Sequence, residues 1–138
     1  MLAVLHSLPV WLPLTMTWAY NQVRFTPGVQ AIVLADEVRG GEAFPWEPVL
    51  VASRADRIAA AVGRRLGSPQ PPRSLLPGLR RRAPDIVHSH FGYRGWHDLP
   101  LVATLGARHV VTFYGHDVQK FPHTWPVWRR RYERLFAT

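Results

Sequence analysis

The sequence contains no cysteine, which excludes disulfides, thiolate catalysis and sulfur-ligated zinc. Lysine is nearly missing too: Lys120 is the only one, so the positive charge is almost wholly guanidinium. Acidic residues are few, nine against 17 basic ones, and the net charge is +8. That balance suits anionic partners such as phosphates, nucleic acid or an acidic membrane face, and arginine-rich genome composition produces the same excess. No long apolar run is present. Residues 1–23 carry no charged side chain, yet Pro9 and Pro13 interrupt them. No basic segment precedes them, and Asn21 and Gln22 arrive before the roughly 20 continuous apolar residues of a membrane span. The start therefore reads as folded protein in a cytoplasmic setting. There is no G-x-G-x-x-G and no P-loop, so no cofactor is expected. Repeats and low-complexity tracts are absent.

What is present is one domain's length of chain, 138 residues, with 47% hydrophobic residues, six Trp and 13 Pro. Its most informative stretch is residues 84–117. Two short apolar runs, 85–89 and 109–113, flank a helical segment and end in histidine, glycine and hydroxyl residues. Asp98 can cap that helix, with Pro100 in its first turn and Gly106 closing it, so that Leu99, Val102, Ala103 and Leu105 face a sheet. Strand, helix, strand is the unit of a parallel sheet, whose carboxyl ends open into a ligand crevice. The polar residues arrive at one rim.

Elsewhere the reading is coarser. Residues 2–5 form a first strand, 6–13 a loop, and Thr15 or Thr17 starts a helix through Val23. A second strand spans 29–35, a surface excursion with Gly40-Gly41 spans 36–48, and a third strand spans 49–52. Ser53 and Asp56 have capping-box spacing ahead of an amphipathic helix, with Ile58, Ala59, Val62 and Leu66 opposite Arg57 and Arg64. An extended linker (68–73) leads to a brief helix carrying Leu75, Leu76 and Leu79 and ending in Arg80-Arg81-Arg82. The last helix, 125–136, has Trp125, Trp128, Tyr132, Leu135 and Phe136 on one face and arginines on another. That pattern fits aromatics packed on the sheet with solvated arginines, or a helix lying on an anionic membrane. The fold expected is α/β, doubly wound, with a mostly parallel sheet flanked by helices, as a single domain over 1–138.

His88-Ser89-His90, with His97, Asp98, His116 and Asp117, raises the question of a metal. Alternation lets His88 and His90 share a face, but the spacing repeats no zinc pattern, and no metal is expected. His88 reads as a hydrogen-bonded core histidine and His97 as a loop or cap residue. Gly92 and Gly95 flank Tyr93-Arg94 between strand and helix, where glycine permits close backbone approach.

Residues 85–92 (DIVHSHFG), Gly95, Leu99-Pro100-Leu101, Leu105-Gly106 and residues 111–117 (VTFYGHD) together resemble the amino-terminal domain of family 4 glycosyltransferases. The likeness extends to Trp128, Arg129, Tyr132, Leu135 and Phe136, and weakly to Thr17-Trp18 and Tyr20-Asn21-Gln22. The resemblance implies a Rossmann-like half of a GT-B fold, retaining chemistry and a role in polysaccharide biosynthesis. This half would bind a glycan or lipid-linked acceptor. A carboxyl-terminal half, absent from this chain, would hold the nucleotide-sugar donor, leaving the chain inactive alone. By the same resemblance His90 and Gly92 line the cleft floor, Gly115 lies beside the transferred sugar, and His116 and Asp117 contact it in a catalytic role. Tyr114 stands where many members have histidine and would help position the substrate. His6 lies in the loop that replaces a glycine-rich turn near the substrate. The rival reading is a non-catalytic module binding an anionic glycan, lipid or membrane surface, with peripheral contact at the inner membrane face. Nucleic acid is not an expected partner.

Overall fold

Apolar runs too continuous to leave one face wet make the centre of the molecule. A computed structural model describes residues 1–40 and 42–138. The strands are β1 (Leu2–Trp11), β2 (Val29–Val38), β3 (Val49–Val51), β4 (Ile86–His90) and β5 (Arg108–Thr112). They form one sheet in the order β3-β2-β1-β4-β5, and every pairing is parallel. The expected α/β doubly wound class is therefore correct, and the sheet is parallel throughout. Gly41, inside the surface excursion expected over 36–48, lies outside the described residues.

The first strand differs from expectation. Residues 6–13 are expected to be a loop, but β1 runs on through residues 6–11 to Trp11. Its pairing with β4 stops at Ser7, while pairing with β2 runs on to Trp11 opposite Val38. Beyond Ser7 the strand has a neighbour on one side only, so a residue without an N–H is tolerated at position 9. β2 likewise reaches Val38, into the segment read as excursion.

Period-two alternation divides the core between the two faces. Ala31, Val33 and Ala35 of β2, with Leu8 of β1, pack beneath Ala19, Tyr20 and Val23 of helix α1 (Thr17–Phe25), and Trp11 at the end of β1 joins the same cluster outside that alternation. On the other face Leu5, Ile32, Leu34 and Val87 meet Leu79 of α3 (Leu76–Arg82) and Leu101 of α4 (Gly92–Leu105). Burying each such side chain contributes about 1.5–3 kcal/mol. A third cluster, Trp96, Trp128, Tyr132 and Leu135, joins α4 to the last helix, α7 (Val127–Phe136). Trp128, Tyr132 and Leu135 are thus buried, as one reading expected, against α4 and beside Val111 of β5, while Trp125 and Phe136 stay exposed. Arg131 of α7 lies over the Trp96 and Trp128 rings at 4.2 and 4.7 Å.

Two helices depart from the sequence reading. α4 begins at Gly92, so Asp98 lies inside it rather than capping it, and Pro100 is interior. Asp98 is buried there and accepts a hydrogen bond from Ser89 Oγ at 2.7 Å. Leu101 is fully buried while Ala103 is exposed. Helix α2 (Arg54–Arg65) has the expected capping box, yet Ile58, Val62 and Leu66 point outward, 51–77% exposed. The face turned inward carries Asp56 and Gly63 instead. Asp56 is held by Ser53 and Ser74, and a Cβ at Gly63 would meet the Ser68 carbonyl oxygen. Among the described residues no helix is long and apolar enough to cross a membrane.

Candidate functional site

β1 leads outward to β2 and β3, whereas β4 returns to its other side and leads to β5. The connections part above β1 and β4, and ligands bind parallel sheets at such a switch point. His6 of β1 is in register with His88 of β4, and His90 lies two residues further on the same face. β5 brings Thr112 opposite His90, and Tyr114 follows just past the strand end. Residues from three strands thus converge, as the strand, helix, strand reading requires.

A hydrogen-bonded chain connects them. His90 Nδ1 lies 2.8 Å from the Tyr114 hydroxyl, and His90 Nε2 lies 3.1 Å from His6 Nδ1. His88 Nε2 lies 2.8 Å from Thr112 Oγ1. All three imidazoles are buried, at 0–8% exposure. Burial, then the neighbouring His88 and His6, pushes the His90 pKa down to about 2, and burial with His88 takes His6 to about 4. His88 is lowered as well, by burial and His109. At neutral pH these rings are uncharged and act as one-donor, one-acceptor groups. Burial raises the Tyr114 pKa to about 12, with Thr112 opposing and Asp117 adding, so the phenol keeps its proton.

Aromatic faces surround that phenol. Trp18 of α1 sits 4.2 Å from the Tyr114 ring and 5.7 Å from His90, and Phe91 lies 4.9 Å from Tyr114. Half-buried flat apolar surface beside hydroxyl and imidazole groups matches a sugar, whose faces are apolar and whose edges are polar. Trp18 was not among the residues singled out for this site. Nothing in its local pattern distinguishes it from a core tryptophan on an amphipathic helix.

Asp117 is organised differently. Its side chain is buried and accepts from Gly92 N at 2.6 Å and Tyr114 N at 2.9 Å, while its carbonyl oxygen accepts from Tyr132 Oη at 2.8 Å. The residue ties the turn after β5 to the turn after β4 and to α7. Gly115 has φ +86°, a conformation that favours glycine. At Gly92 the need is space: a Cβ would lie 2.1 Å from Phe113 Cε1. His116 opens the short helix α5 (His116–Gln119) and is exposed, its ring edge-on to Phe121 of helix α6 (Phe121–Thr124). The fold therefore joins His6, His90 and Tyr114 in direct contact, seats Gly92, Gly115 and Asp117 in the supporting turns, and leaves His116 at the surface of the rim.

On the opposite face lies a polar network that spacing did not reveal. Arg94 is buried and donates from Nε to Ser7 Oγ and from Nη1 to Asp36 Oδ2, both at 2.8 Å. Asp98 lies 3.5 Å away. Burial opposes its charge, but Asp98 and Asp36 outweigh this and hold the Arg94 pKa above its ordinary value. Ser89 continues the network to Asp98 and to His109 Nε2, 2.9 Å away. These groups fix β1, β2, β4 and α4 relative to one another.

Two comparisons, with curated proteins and with solved structures, give no match. The family model described as Glycosyltransferase Family 4 matches residues 26–138, most of the chain. Its span takes in β2 to β5, both rim turns and α7. The chain belongs to glycosyltransferase family 4.

Proposed function

We propose that this domain is the acceptor-binding half of a retaining glycosyltransferase, working in the cytoplasm on a glycan or lipid-linked acceptor. A donor-binding half, on the same polypeptide or another, holds the nucleotide sugar and completes the cleft. The observation that supports this most is the Trp18, His90 and Tyr114 group, where an aromatic face adjoins a hydrogen-bonded imidazole and phenol at the switch point. The Tyr114 hydroxyl, held by buried His90 and through it by His6, orients an acceptor hydroxyl, while Gly92 makes room for Phe113 beneath the rim and Gly115 allows the turn that presents Tyr114. His116, exposed at the rim, contacts the transferred sugar. Asp117 acts through the turn that presents Tyr114 and His116. Transfer then depends on positioning and on stabilising the departing phosphates while the acceptor attacks from the same face.

The test is reconstitution with a donor-binding half, following nucleoside diphosphate release from nucleotide sugars across a panel of acceptors. His116→Ala should lower turnover by about 100-fold with the far-ultraviolet spectrum unchanged. Full turnover in that variant removes the sugar contact. A product of inverted anomeric configuration removes the retaining mechanism.

A second reading has its own observation. The outward stripe of α2, Ile58, Val62 and Leu66, lies beside exposed Arg57, Arg64 and Arg65. An apolar stripe edged by guanidinium groups suits peripheral contact with the anionic inner face of a membrane, whether the domain transfers sugar or only binds lipid or glycan there.

A further inference from the structure

The three histidines of the cleft floor share a geometry that hydrogen bonding alone does not require. Alternation places Leu5 and Ser7, Val87 and Ser89 toward α4, and turns His6, His88 and His90 to the other face. One ring nitrogen from each lies within 4.8 Å of the others. From these positions we propose that His6, His88 and His90 form a binding site for a divalent transition-metal ion of the zinc class.

Two of the three rings have one nitrogen fixed by an oxygen and the other left to ligate. His90 can keep its proton on Nδ1 and donate it to the Tyr114 oxygen, leaving the Nε2 lone pair free. His88 places Nε2 against Thr112 Oγ1, leaving Nδ1. His6 offers Nδ1, which faces His90 Nε2 at 3.1 Å, when its proton sits on Nε2. A ligating histidine generally has its other nitrogen fixed by such an oxygen, which sets tautomer and ring orientation. The tautomers change within the neutral rings, so no proton is lost to solvent. Tetrahedral zinc with Zn–N near 2.0–2.1 Å sets nitrogens about 3.3 Å apart, so no pair needs to close by more than about 1.5 Å. All three ligands are nitrogen and no carboxylate joins them, which selects zinc, copper or nickel over magnesium or calcium.

Entry and a fourth position are available. A cavity of about 170 Å³ opens against His6 and His88, walled by Gln22 of α1, by Thr26 just past its end and by Val110 of β5. α1 covers β1 and β2, whereas Val110, the partner of His88 in β5, is 43% exposed. Water or a ligand oxygen can therefore complete a coordination shell that the protein leaves open. Burial keeps the imidazoles neutral, the form that ligates. The inference does not depend on sugar transfer.

Isothermal titration of the chelator-treated full chain with zinc chloride tests it. One equivalent should bind, with affinity reduced at least about 100-fold in His6→Gln and about 10-fold in Tyr114→Phe. His123→Gln, altering an exposed histidine of α6, should bind like the wild type. X-ray absorption of the zinc-loaded wild type, which needs no variant to fold, should count three imidazoles. No uptake, equal affinity in a folded His6→Gln, or fewer than three imidazoles, meaning an adventitious ion only, overturns the site.

Discussion

Asp117 shows how one buried carboxylate can hold together the two turns at the edge of a sheet. Both carboxylate oxygens meet backbone N–H groups, from Gly92 and Tyr114, in a buried setting. Asp117→Asn keeps the size but turns an amide N–H₂ toward one of those donors, leaving a buried N–H unpaired. That should cost about 2 kcal/mol, read as a lower urea midpoint. An unchanged midpoint would mean that the carboxylate does not hold the two turns. His90 and Tyr114 were legible in the sequence because each closes or follows a short apolar run, and strand ends in a parallel sheet share an edge. Trp18 and the Arg94 network were not. Their partners are Tyr114, Asp36 and Ser7, far along the chain, and no local period encodes a meeting of that kind.

Helix ends and helix faces followed different rules. The start of α2 was legible because a capping box is local chemistry: Ser53 Oγ accepts from Asp56 N at 3.1 Å, and Asp56 Oδ2 accepts from Ser53 N at 3.3 Å. Ser53→Ala should cost about 1 kcal/mol and speed amide exchange in the first turn of α2. Exchange at the wild-type rate would remove the cap from the stability of that helix. The face α2 buries was not legible, because the apolar stripe and the Asp56–Gly63 face compete, and Ser74 and the Ser68 backbone decide between them. The exposed stripe has a consequence at this scale. Ile58→Glu with Leu66→Glu should abolish co-sedimentation with phosphatidylglycerol vesicles and leave the melting temperature nearly unchanged, since both side chains are exposed. Equal sedimentation of variant and wild type would end the membrane reading. At α4 the misplaced start has a similar origin: Asp98 has the composition of a cap, but Ser89 and Arg94 draw it into the interior.

At the scale of the molecule, histidines with buried ring nitrogens make stability depend on pH. His97 is the simplest case, its pKa lowered to about 3 by burial and then by Arg94, Arg64 and Arg131. Its Nε2 is buried without a hydrogen-bond partner. Neutral in the folded state and protonated in the unfolded chain below about pH 6.5, it costs nothing above that pH, and stability falls as the pH drops toward 3. Between pH 7 and pH 5 the loss from His97 alone is on the order of 2 kcal/mol. Urea midpoints at the two pH values measure it, and His97→Gln should flatten the difference by about that amount. An identical pH dependence in the variant would show that His97 is protonated in the fold. By itself the sequence determined the parallel α/β class, the strand, helix, strand core of residues 84–113 and the rim that collects His90 and the 114–117 turn. Period-two alternation, glycine at turns and capping are decided within a few residues. Only the tertiary structure carried β1 on to Trp11, set His6 against His90, packed Trp18 against Tyr114, turned the stripe of α2 outward and laid α7 on α4. Each of those depends on which surfaces remain uncovered once the sheet has assembled, and that is a property of the packed molecule.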